Sequence, residues 1–305
     1  MAPITEYQHS AGAVGKRPEE LGKSLRCSKW KSNVGKLPRL RGVWLLALIV
    51  LGAGVLASSA GAQQLYAVDS SRALYTIDMT TGVKTLVATV SANAGTTAGL
   101  SYDPVNNIVY LTSTSNDSLY SLDLATGNAT LIGLYGDSAV VMHGLEFDDS
   151  TGTLYGVSSH NNGLYTINPV TGAATLVGTS GLTSFTNLGY NSITNQMFGT
   201  NSGTDSFYGI NRATGAATLI GPLNGPTNPN GVAFNRDNGL MYLVDNSTDN
   251  LYTINLLTGA ATLIGSTGSG NLLGLVYIPV PEPASVALLG LGAAFLAFRL
   301  RKRRG

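Results

Sequence analysis

Leu74-Tyr75-Thr76-Ile77-Asp78-Met79-Thr80-Thr81-Gly82-Val83-Lys84-Thr85-Leu86 decides the fold, because the chain repeats it at residues 119–131, 164–176, 207–219 and 251–263. The glycine near its middle stands at Gly82, Gly127, Gly172, Gly215 and Gly259, with spacings of 45, 45, 43 and 44 residues. That is the period of a propeller blade. Each copy reads as a hairpin: apolar and polar residues alternate, an Asx-x-x-Thr-Gly turn follows, and a second strand runs back. The Asx at positions 78, 123, 168, 211 and 255 can accept backbone N–H bonds, and the glycine supplies the positive φ that a tight turn needs.

Working outward, a second strand pair precedes each hairpin at residues 99–112, 144–157, 187–200 and 231–244. Four strands per period, with no helical pattern, predict an all-β blade. Residues 65–69 match the second strand of a blade and residues 273–277 match the first. The C-terminal strand therefore completes the blade that the N-terminal strands begin, which gives a five-bladed β-propeller over residues 63–279 with no open edge. A β-sandwich or an open solenoid fits less well, since a solenoid needs capping repeats and none is visible.

The charge is unevenly distributed. Of 18 Lys and Arg, nine lie before Val43 and five beyond Phe298, so the body keeps four bases against 13 acids, a net formal charge of −9. Such a body repels phosphate backbones, which argues against nucleic acid as a partner. Val43 to Ala57 is a 15-residue apolar run with Lys36, Arg39 and Arg41 before it and small residues after it. It reads as a signal peptide over residues 43–62, cleaved between Ala62 and Gln63. The alternative, a retained anchor, is disfavoured because 15 residues are short for a hydrocarbon core of about 30 Å. Residues 1–42 are long for a signal n-region, and Val34 is an alternative start. The single cysteine, Cys27, falls in this part, so the mature body is expected to contain no disulfide and no thiol chemistry.

Residues 280–305 hold Pro281-Glu282-Pro283, an apolar run at 284–298 and the basic end Arg299-Leu300-Arg301-Lys302-Arg303-Arg304. This arrangement resembles the PEP-CTERM sorting signal of Gram-negative bacteria. The resemblance implies recognition of Pro281, Glu282 and Pro283 by a membrane-embedded exosortase, removal of the tail, and often an organism that builds exopolysaccharide. The expected partners are then exosortase, the general secretion machinery, and an exopolysaccharide or surface protein. The expected route is export across the inner membrane, with transient membrane insertion through a helix at 284–298. Proline keeps the tripeptide extended, and the arginines hold the end on the cytoplasmic side.

The body offers little chemistry. Tyr75, Tyr120, Tyr165, Tyr208 and Tyr252 recur at one repeat position, and Tyr66, Tyr110, Tyr155, Phe198 and Tyr242 at another, which is the mark of blade packing. Function is better sought where one blade departs from the rest. His143 aligns with Ala98, Thr186, Asn230 and Leu273, and Glu146 aligns with Ser101, Gly189, Ala233 and Val276. Both lie on the strand expected to line the central channel, so they are the candidate catalytic residues. A hydrogen-bonded polar plug is the structural alternative. Glycosidase chemistry needs two opposed carboxylates, and the channel strands supply one. Asp103 and Asp148 share a turn position with Asn191 and Asn235, which is turn chemistry. The loops 115–117, 159–162, 201–205 and 245–250 are rich in oxygen donors but lack the spacing of a known Ca²⁺ loop. The Asp-x-x-Thr-Gly turn also resembles that of quinoprotein propellers, yet Leu86, Leu131, Leu176, Leu219 and Leu263 stand where that family has Trp. No cofactor is expected. The leading expectation is a binding or structural protein of the cell surface or matrix; the alternative is an envelope hydrolase or lyase built around His143 and Glu146.

Overall fold

A computed structural model describes residues 64–279; the expected signal segment, the sorting tripeptide and the helix at 284–298 lie outside the described residues. The chain forms β1 (Gln64–Asp69), β2 (Ala73–Ile77) and β3 (Lys84–Thr89), then a 3-10 turn at Ala92–Ala94. The second blade is β4 (Thr97–Asp103), β5 (Ile108–Ser113), β6 (Ser118–Leu122) and β7 (Ala129–Leu134). The third is β8 (Met142–Asp148), β9 (Thr153–Ser158), β10 (Gly163–Ile167) and β11 (Ala174–Thr179). The fourth is β12 (Gly189–Asn191), β13 (Gln196–Asn201), β14 (Ser206–Ile210) and β15 (Ala217–Pro222). The fifth is β16 (Pro229–Asn235), β17 (Leu240–Asp245), β18 (Asn250–Ile254) and β19 (Ala261–Ser266), and β20 (Leu272–Ile278) ends the described chain.

These strands form five four-stranded sheets, each an antiparallel meander, and the first is ordered β20-β1-β2-β3. β20 pairs with β1 in the register Gln64↔Ile278, Leu65↔Tyr277, Tyr66↔Val276 and Ala67↔Leu275. The expected five-bladed ring, closed by the C-terminal strand, is the observed fold. Closure gives β1 a partner on its inner side, so the first blade has four strands like the others.

The core is divided by the blades. Five clusters of buried side chains each span one blade junction; Leu145, Phe147 and Leu154 of the third blade, for instance, pack on Tyr110 and Leu119 of the second. The recurring tyrosines lie in these clusters, as repeat packing predicts. Their hydroxyls also fasten loops: Tyr120 donates to the Asn93 carbonyl at 2.8 Å, and Tyr252 meets Thr248 Oγ1 at 3.1 Å. A buried phenol needs such a partner.

Asx side chains build both kinds of hairpin turn. Asp103 Oδ1 accepts the Val105 amide at 2.8 Å, and Asn255 Oδ1 accepts the Leu257 amide at 2.9 Å. Gly82, Gly127, Gly172, Gly215 and Gly259 all take φ between 76° and 80°. In the oxygen-rich loops on the other face Asn201 Oδ1 accepts the Gly203 and Thr204 amides and Asp245 Oδ1 those of Ser247 and Thr248, whereas Asp117, Asn162 and Asp205 each keep one buried Oδ1 without a hydrogen-bond partner.

One strand departs from the repeat. β12 has three residues where its counterparts β4, β8, β16 and β20 have seven. Asn187 causes this: its Oδ1 accepts the Thr200 amide at 3.1 Å and its Nδ2 donates to Thr200 Oγ1 at 2.6 Å. A side chain here replaces the backbone ladder.

Candidate functional site

The inner strands β4, β8, β12, β16 and β20 line the channel, and each places its polar outliers differently. On β8 the register slips between Met142 and Gly144, so His143 is the extra residue of a bulge. Similar irregularities surround Ala98, Asn230 and Leu273 in the other blades. A bulge re-aims its side chain relative to the regular strand. His143 Nδ1 is buried with no hydrogen-bond partner, and so is Thr186 Oγ1 at the same position of the next blade. Burial holds the His143 imidazole below its usual range, against the opposing pull of the Val141 backbone.

Glu146 occupies the other end of the same strand, opposite Tyr155. Three residues of strand, about 10 Å, separate it from His143, and His143 does not line the pocket that Glu146 enters. The structure therefore does not bring the two candidates together. Glu146 lies at the channel mouth, in a pocket of about 30 Å³ that it shares with Tyr102, Tyr190, Ser192, Arg236 and Tyr277. That volume admits one or two waters. Protein surrounds the carboxyl, and burial pushes its pKa well above the usual carboxylate range; the Phe147 and Tyr190 amides and the Arg236 guanidinium pull it back, while Asp149 adds to the rise. Arg236 is paired with Asp149 at 3.2 Å, and Tyr277 donates to Asp237 Oδ2 at 2.5 Å. The mouth is thus a self-satisfied polar cluster holding one protonation-prone acid.

The sequence reading missed a second feature. In blade after blade, the turn between the third and fourth strands lies on the turn between the first and second strands of the preceding blade: Asn235 Nδ2 donates to Met79 Sδ at 3.5 Å, and Arg212 bonds the buried Asp148. Arg212 also donates to Asn195 Oδ1 at 2.7 Å and stacks over Tyr190 at 5.2 Å. Burial pushes Asp148 up, but hydrogen bonds from Ser150, Thr151 and Tyr190, together with Arg212, outweigh it and hold the carboxyl below its usual value. Between the fourth and fifth blades the same juxtaposition leaves an open groove of about 550 Å³, lined by Asn195, Gln196, Phe198, Asn211, Arg212, Thr218, Ile220, Leu256 and Leu257. Its walls mix amides, one guanidinium and apolar side chains. The only hint in the sequence is that Arg212 replaces Met79, Leu124, Pro169 and Leu256 at one turn position.

Comparison with known proteins bears on address and fold. Residues 279–304 match the PEP-CTERM protein-sorting motif, and residues 137–270 match a family described as a repeat of unknown function. No curated protein matches the chain. By fold, the propeller is similar to a chain of the nidogen/laminin complex, with a TM-score of 0.53 at 16% identity over 72% of this chain and 82% of that one. It is similar to a protein of unknown function from Bacteroides thetaiotaomicron, with a TM-score of 0.52 at 18% identity over 71% of this chain and 62% of that one. A symmetrical protein described through its de novo evolutionary emergence gives 0.50 at 20% identity over 72% of this chain and 100% of that one. Such identities speak for the fold alone. The chain is a five-bladed propeller carrying a C-terminal PEP-CTERM sorting motif, which implies export and exosortase-dependent sorting to the cell envelope or beyond.

Proposed function

We propose that the protein is a binding or structural protein of the cell surface or exopolysaccharide matrix, holding a glycan or protein partner in the groove between its fourth and fifth blades. The groove carries this reading: its roughly 550 Å³ is ligand-sized, whereas the Glu146 pocket offers about 30 Å³. Amide side chains and Arg212 supply hydrogen bonds to hydroxyl or carbonyl oxygens, and Ile220, Leu256 and Phe198 supply apolar contact. Delivery by the sorting motif supports the location.

The second reading, an envelope hydrolase or lyase, draws on Glu146 as an acid kept protonated by burial. Two observations weigh against it: His143 is not in its reach, and the pocket has no space for a sugar ring. A glycan array and a hydrolase and lyase screen on the purified chain separate the two. We expect binding that is lost in Thr218→Trp, which fills the groove from an exposed strand, and kept in Glu146→Gln. Turnover abolished by Glu146→Gln would overturn the binding reading.

A further inference from the structure

Ile278, the last residue of β20, pairs with Gln64 on the face that carries the first-to-second and third-to-fourth strand turns. The sorting motif begins next to it, with Pro281 three residues on, the apolar run at 284–298 after that, and then the basic end. The same face bears large apolar residues at its turn tips. Val105 and Ile193 occupy the tips of first-to-second strand turns and are 77% and 65% exposed; Val170 and Leu257 occupy the same offset in third-to-fourth strand turns and are 81% and 89% exposed. The groove lining sets Leu257 beside the turn of Ile193. None of the four is needed for the core, and polar residues at the equivalent tips, such as Ser150, Asp237 and Thr80, build the same turns.

We propose that this face rests on the bilayer surface while the C-terminal tail is inserted, with Val105, Val170, Ile193 and Leu257 dipping among the lipid headgroups. Apolar tips on a polar surface bind a membrane interface in this way, and a tether of only five residues, 279–283, between β20 and the apolar run keeps them within reach of it. The net charge of −9 on the body excludes attraction to anionic lipid as the cause, so contact depends on the tips and the tether. The inference goes beyond the binding reading and does not depend on it. Because the groove opens on this face, membrane contact and ligand occupancy would exclude each other until the tail is removed.

The test uses the full chain, carrying Cys27→Ser, in vesicles of phosphatidylethanolamine and phosphatidylglycerol. An environment-sensitive fluorophore is attached at Val170→Cys, at Leu257→Cys, or at His160→Cys in the exposed turn between β9 and β10 on the opposite face. Blue-shifted emission, quenched by spin-labelled lipid at 170 and 257 but not at 160, is expected. Equal emission at all three, or a shift at 160 alone, overturns the proposal. Hydrogen exchange on the unsubstituted chain is the second measurement: vesicles should slow the amides of these turns and not those of residues 159–162, and equal protection of both faces would refute it.

Discussion

Gly178 on β11 is one of the places where the ring leaves no room for a single methyl. A Cβ built there would stand 2.0 Å from the Thr214 carbonyl oxygen in the turn of the next blade, and the same contact recurs at Gly133, Gly221 and Gly265 with 2.0, 2.2 and 2.1 Å. Ordinary contact begins near 3.4 Å, so in Gly178→Ala the turn must withdraw by more than 1 Å. The obstacle is backbone, held by the Gly215 amide donating to the Asn211 carbonyl at 2.8 Å, so it cannot rotate away as a side chain would. Overpacking of this kind costs about 1–3 kcal/mol. The first blade has Ala88 at the equivalent position, which shows that a junction can be built around a methyl and that the variant will fold. In a domain of this size each kcal/mol lowers the Tm by about 2–4 °C, so a drop of several degrees is expected in thermal unfolding followed by circular dichroism. Gly209→Ala is the control: its nearest neighbour is Ile220 Cδ1 at 3.9 Å and its φ is not positive, so it should be neutral or stabilise by about 0.4–1 kcal/mol. A Gly178→Ala variant that melts with the wild type, or a Gly209→Ala variant that falls as far, refutes the blade-contact reasoning.

Two further outcomes follow from the charged groups. Asp148→Asn should be tolerated better than Asp148→Ala, because Asn191 and Asn235 build the same turn; Arg212→Ala should cost about 1–3 kcal/mol by leaving Asp148 buried and unpaired, less than a fully buried pair because Arg212 is partly exposed. Asp148 has a lowered folded pKa, so its contribution is lost as pH falls through that value; Arg212→Ala raises the value, and acid unfolding should begin at higher pH in a urea-melt series. Glu146 has the opposite sign. With its folded pKa raised, the native state holds a proton that the unfolded chain releases, so this group costs stability increasingly as pH rises above the ordinary carboxylate range. Glu146→Gln should match the wild type in acid and exceed it at neutral pH; a constant offset across pH would contradict the burial of that carboxyl.

What a single sequence conveyed depended on the distance over which each feature acts. The turn at Asp78 to Gly82 and its copies is local, so period, turn chemistry and strand count were all readable, and the match of residues 273–277 to an inner strand gave closure. The bulge at His143 was not readable, because a one-residue slip is set by the partner strand, not by His143 itself. Nor was the groove. It arises because each blade's outer turn overlies the preceding blade's inner turn, bringing Arg212 to Asp148 across 64 residues. That contact depends on sheet twist, which periodicity does not encode. The glycines at 133, 178, 221 and 265 show the same limit: only the neighbouring blade's carbonyls explain why a side chain is excluded there.

The pairing of Gln64 with Ile278 has a consequence for timing. Contacts between the two ends of a chain are the last a growing polypeptide can make, and until β20 arrives β1 presents a bare edge to whatever strand it meets. The ring therefore cannot shut on a nascent or half-translocated chain, which keeps the chain threadable for as long as it must be threaded. A product broken off before Leu272 would lack the finishing strand and the sorting motif together, so only a ring that can be completed carries an address.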